Sequence, residues 1–137
     1  HKALNIAKKN IKKHNLIEKI KLFKKSLSEI YQSKFDLIVS NPPYIDKKKI
    51  RNLDDGIKKF EPLVALNGGN DGLDVIKKVI YKAKEILKIN GKLALEIGND
   101  QSKKVSKELK LNNFKIEQNI KDYKENTRCL ISKLIHN

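Results

Sequence analysis

Phe35-Asp36-Leu37-Ile38-Val39-Ser40 runs directly into Asn41-Pro42-Pro43-Tyr44, and that junction leaves the chain few ways to fold. The first six residues are compact, apolar and in part β-branched, as in a strand buried within a sheet. Proline has no N–H for a ladder and fixes its own φ. Two in succession end the strand and hold the following turn extended. The junction therefore predicts a buried strand that stops at a rigid loop.

The flanking segments extend this pattern. Ala3, Leu4, Ile6, Ala7, Ile11 and Leu16 fall on one helical face, with Lys8, Lys9, Lys12 and Lys13 mostly opposite. Lys19 to Phe23 alternates apolar and charged residues and predicts a strand, and Ser26 to Gln32 a short helical turn. Residues 46 to 72 are polar and hold four of the six glycines, an irregular excursion of the kind that is usually functional or disordered. A helix follows, with Asp71 or Gly72 near its start. Leu73, Ile76, Val79, Ile80, Ala83 and Leu87 line one face, and Asn90-Gly91 closes it. Strands are predicted over Lys92 to Ile97, Phe114 to Ile120 and Arg128 to Leu134. A helix spans about 101 to 111, and a hairpin-like link joins the last two strands. Strands alternating with helices predict an α/β layered sheet, mostly parallel, with an antiparallel last strand.

Composition excludes several function classes. No apolar run approaches the roughly 18 residues needed to cross a bilayer. The single cysteine, Cys129, excludes an internal disulfide or a cysteine zinc site and fits a reducing cytoplasm. His1, His14 and His136 lack metal-ligand spacing and read as surface residues. The net charge of +15 suggests an anionic partner such as nucleic acid. However, the lysine pairs are scattered along the whole chain, which is the pattern of a solvated basic surface.

In an α/β sheet the active site belongs at the C-terminal ends of the strands, where Asn41-Pro42-Pro43-Tyr44 is expected. The Asn41 side chain offers a carbonyl acceptor, Pro42 a backbone carbonyl, and Tyr44 a flat face. That set suits a planar NH2 conjugated to a π system. Two acceptors gripping its hydrogens would draw the nitrogen toward a tetrahedral shape and aim its lone pair at a methyl donor. A glutamine amide and the exocyclic amine of adenine both present such a nitrogen.

Phe35 to Ile45 resembles the signature of the amino-methylating enzymes that use S-adenosylmethionine (SAM). Phe60-Glu61-Pro62-Leu63-Val64-Ala65-Leu66, followed by Gly68-Gly69 and Asp71-Gly72-Leu73, narrows the resemblance to the HemK/PrmC family. Glu96-Ile97-Gly98 with Gln101, and later Asp122 and Arg128, are also similar to that family. The resemblance covers nearly the whole chain. It implies a Rossmann-like methyltransferase fold, SAM as cofactor, and methylation of the glutamine amide in the Gly-Gly-Gln loop of peptide-chain release factors. By position, it implies that Asn41 contacts both SAM and the amide, and that Pro42, Pro43 and Tyr44 frame the glutamine. Ser26 or Leu27 would lie beside the adenine, although Lys25 and Ser26 stand where the family commonly has an acidic residue. A ribosomal protein ranks below the release factor as substrate. An adenine methyltransferase acting on DNA or RNA is the alternative, and the segment from Glu61 to Gly69 argues against it.

The resemblance also exposes a gap. No Gly-x-Gly occurs in the 137 residues, and no acidic residue precedes the first helix to hold a ribose. Residues 1 to 137 are thus expected to form a partial catalytic domain that lacks the first two strands and the glycine-rich loop. Phe35–Ser40 would then have an open edge, and this chain alone would be marginally stable, weak in SAM binding and inactive.

Overall fold

A computed structural model describes residues 2–31 and 34–136. The chain divides into two units, His1–Ile30 and Tyr31–Asn137.

In the first unit, helix α1 spans Lys2–Lys13 as its apolar periodicity predicts, and it ends in basic Lys12 and Lys13 beside the negative end of its dipole. Asn15 takes a left-handed φ of 56° just beyond it. Residues 19 to 23 form no strand, contrary to the alternation of their side chains. A strand exists only through a ladder, and among the described residues this segment has no partner, so Ile20, Leu22 and Phe23 stay exposed. The turn predicted from Ser26 is a short 3₁₀ helix, Leu27–Glu29. Gln32, its expected end, lies outside the described residues.

The second unit holds strand β1 (Phe35–Ser40), three short helices α2 (Lys47–Ile50), α3 (Asp55–Phe60) and α4 (Leu63–Leu66), and helix α5 (Asp74–Ile86). These are followed by β2 (Leu87–Glu96), α6 (Ser102–Leu111), β3 (Phe114–Lys121) and β4 (Thr127–Leu134). The sheet order is β1-β2-β4-β3. Helix α5 makes the crossover between parallel β1 and β2, and β4 runs antiparallel to both its neighbours. A short turn joins β3 to β4, in which Asp122 Oδ1 accepts from the N–H groups of Lys124 and Asn126.

Asn90-Gly91 does not cap the helix as its sequence suggests. Helix α5 already ends at Ile86, and Leu87 enters the sheet fully buried opposite Phe35. The regular register resumes at Leu37↔Lys92, so five residues of β2 advance against two of β1. Asn90, at φ 67°, and Gly91 make the turn inside this bulge.

The core lies between one face of the sheet and helices α5 and α6. Ile76, Val79, Ile80, Ala83 and Ile86 of α5 and Val105 and Leu109 of α6 meet Leu93, Leu95, Phe114, Leu130 and Leu134 from the strands. Ser132, the one polar residue among them, donates its hydroxyl to the Leu93 carbonyl. The other face is less covered, most of all on β1, where the alternating Phe35, Leu37 and Val39 are 40%, 55% and 73% exposed. β1 is an edge strand that pairs only with β2 among the described residues, in agreement with the open edge expected from the sequence.

Candidate functional site

The end of β1 delivers Asn41-Pro42-Pro43-Tyr44 to the C-terminal edge of the parallel pair. Pro42 is buried, Pro43 and Tyr44 are half-buried, and Asn41 is exposed. The neighbouring strand β2 ends at Glu96, whose Oε1 accepts a 3.3 Å hydrogen bond from the Tyr44 hydroxyl. Burial, then the charge of Glu96, pushes the Tyr44 phenol above its ordinary pKa, with Arg128 pulling the other way. Arg128 is itself paired with Asp122 across the β3–β4 turn, Nε to Oδ2 at 3.2 Å.

The long excursion after the loop closes back on it. Ile45 N–H donates to Leu66 O at 3.1 Å, Gly68 N–H to Ile45 O at 2.8 Å, and Lys47 N–H to Gly69 O at 2.8 Å. This short ladder leaves no room for a side chain at Gly68. A Cβ on Gly68 would lie 2.7 Å from Gly72 O and 2.8 Å from the Tyr44 backbone. Gly72 has φ +73°, and a Cβ there would strike Tyr44 O. Gly68 and Gly72, two of the glycines that carry the resemblance, are thus needed for close backbone approach. Asp71 accepts from Leu73 N–H and Asn67 from Gly69 N–H, which shapes the segment leading into α5.

The Gln101 carboxamide completes the arrangement. Its Nε2 donates to Tyr44 O at 2.9 Å and to Gly72 O at 3.3 Å, and its Oε1 accepts from Gly98 N–H at 2.9 Å. Sequence reasoning marked Gln101 only through the resemblance and gave it no role. Its spacing of three from Gly98, at the start of a helix, was the available signal.

Ser26 belongs to the first unit, where its N–H and hydroxyl both donate to Glu29 Oε2 at 2.6 Å. Those bonds hold the Glu29 carboxyl below the usual carboxylate range. Glu61 is exposed at the α3–α4 junction. Cys129 is half-buried and burial raises its thiol pKa. His14 and His136 are exposed, and His1 lies outside the described residues.

A family model described as Eco57I restriction-modification methylase matches residues 1–129. A release factor glutamine methyltransferase of Clostridium botulinum is 46% identical over 121 residues, covering 86% of this chain and 43% of that protein. A ribosomal protein uL3 glutamine methyltransferase of Francisella tularensis is 43% identical over 100 residues, 72% of this chain and 32% of that one. Among solved structures, a methyltransferase from Pyrococcus furiosus superposes with a TM-score of 0.59 at 17% identity, over 95% of this chain and 56% of its own. The superposition supports the Rossmann-like methyltransferase fold read from the sequence. The chain spans less than half the length of these two curated relatives.

Proposed function

The chain belongs to the methylase family matched over residues 1–129 and to the HemK/PrmC family, several of its relatives being named release factor glutamine methyltransferases, and from that premise we propose a protein substrate. The loop Asn41-Pro42-Pro43-Tyr44 takes part in methyl transfer from SAM to the side-chain amide nitrogen of the glutamine in the Gly-Gly-Gln loop of peptide-chain release factors. One observation carries the reading. The loop stands at the C-terminal end of β1 with Asn41 open to a reactant and Tyr44 tied by Glu96 and Gln101.

SAM, when bound, supplies a methyl group on a sulfonium that departs as a neutral thioether. Everything else is positioning. The Asn41 side-chain oxygen and the Pro42 carbonyl accept the two amide hydrogens, and the two prolines keep those acceptors from turning away. Tyr44 bounds the plane of the glutamine amide. The amide nitrogen held in this way would offer its lone pair to that methyl group, and the surplus amide proton would leave to water. No side-chain base is required, which suits a site whose nearest carboxylate, Glu96, already accepts from Tyr44. The residues present fit one side of the methyl donor, at Asn41. A glycine-rich turn for the other side has no counterpart in the 137 residues. Ser26, proposed beside the adenine, would have to share a hydroxyl now donated to Glu29.

The adenine alternative uses the same loop chemistry, and the matched family is described as a restriction-modification methylase. The two readings separate in one assay. The full-length gene product containing this chain is given labelled SAM with a release factor, the same factor with its loop glutamine replaced, a ribosomal large-subunit protein, or duplex DNA. Label on the intact factor alone supports the proposal. Label on DNA or on the ribosomal protein instead contradicts it.

A further inference from the structure

We propose that Gln101 is a positioning residue that clips the candidate loop shut through its carboxamide. A neutral carboxamide presents two donors on one side and an acceptor on the other, and all three are used across three separate segments. The nitrogen faces the carbonyls of Tyr44 and Gly72, and the oxygen faces the N–H of Gly98. The opposite orientation would set an oxygen against two carbonyl oxygens, so the network itself fixes which way the amide points. No other uncharged side chain of that length can hold two carbonyls and an N–H at once.

The consequence lies at Tyr44. Asn41 is anchored behind by the ladder of β1 with β2, through Ser40↔Leu95. The Gln101 bond anchors the same stretch in front, at the Tyr44 carbonyl. Between the anchors lie two prolines with fixed φ. The backbone of Asn41 is therefore held from both ends, which is the restraint that positional catalysis calls for. The same clip joins the loop to Gly72, where the long excursion feeds into α5. Gly72 is packed so closely that a Cβ there would lie 2.8 Å from Gln101 Nε2. The clip itself stands on this chain's geometry. Its value for catalysis rests on the proposed methyl transfer.

Amide hydrogen exchange on the 137-residue chain tests the clip without any methyl acceptor, so failure of the release-factor reading would leave the result interpretable. The wild type is compared with Gln101→Ala and Gln101→Glu. At pH 7 both variants should lose about tenfold or more of the protection at Ile45, Lys47 and Gly68, the cost of leaving buried carbonyls unpaired. Amides of the core residues Ile80 and Leu95 should be unchanged. Gln101→Glu should then regain loop protection as pH falls through roughly 4.3, where a neutral carboxyl can donate to Tyr44 O, while Gln101→Ala should not. Unchanged loop protection in both variants overturns the proposal. So does a loss shared equally by Ile80 and Leu95, or a Gln101→Glu variant that fails to recover in acid.

Discussion

Tyr44 gathers three constraints in one residue: its hydroxyl is held by Glu96, its carbonyl by Gln101, and its backbone lies against Gly68 and Gly72. The phenol pKa lies above its ordinary value, first from burial and then from the Glu96 charge. The fold therefore favours the neutral phenol. That contribution is complete below the unfolded tyrosine pKa and is lost as pH rises through the higher folded value. Phenolate absorbance, compared with a Tyr44→Phe control, should show Tyr44 titrating late. Glu96→Gln should bring it down only in part, because burial remains. Gly72→Ala meets both a left-handed φ and the Tyr44 carbonyl. The backbone cost alone is about 1–2 kcal/mol, to be read as a lower denaturant midpoint. The rigid turn at Pro42 and Pro43 was legible in the sequence because prolines impose geometry by themselves. The Gln101 bonds were not, since they depend on three segments meeting that are far apart in the chain.

The longer helices and the strands of the second unit form close to where the sequence places them, whereas residues 46 to 72, read as an irregular excursion, hold the short helices α2, α3 and α4. The helical periodicity of Ile76, Val79, Ile80 and Ala83 becomes the buried face of α5, and the hairpin residues become β3 and β4. Ile80→Ala, at a fully buried position, should cost about 2–5 kcal/mol in chemical unfolding. Lys19–Phe23 is the counter-example. Alternation marks a segment as able to join a sheet, but only a neighbouring strand can make it do so. The start of β2 was misread for a different reason. Asn-Gly favours left-handed turns at helix ends and in strand bulges alike, and the burial of Leu87 decides for the bulge. Strand β1 carries the opposite problem, a good strand with one edge unpaired among the described residues and an exposed apolar stripe at Leu37 and Val39. Such an edge invites association between copies. Sedimentation of the chain should show concentration-dependent association that Val39→Lys diminishes. Wild type and variant behaving alike as monomers would contradict this reading of the edge.

At the scale of the whole molecule, the proposed loop stands at the end of a four-stranded sheet with a packed core on one face. Among the described residues, the buried apolar ones all lie in the second unit, and none belongs to α1. The 137 residues by themselves should therefore show no saturable SAM binding by calorimetry. Tight stoichiometric binding would mean that the described residues hold a cofactor site that neither the motif nor the geometry reveals. The charge of +15 bears on solubility and encounter rates more than on chemistry, and the substrate reading does not depend on it. The most direct test of the central claim is to locate the methyl group by mass spectrometry after reaction of the full-length gene product with a release factor and SAM, with and without Asn41→Ala. The account predicts one added methyl on the side-chain nitrogen of the Gly-Gly-Gln glutamine. It predicts that Asn41→Ala slows the transfer by about 10²-fold or more, as loss of a preorganised hydrogen-bonding partner does. A methyl group at another residue, or an undiminished rate without the Asn41 amide, would contradict it.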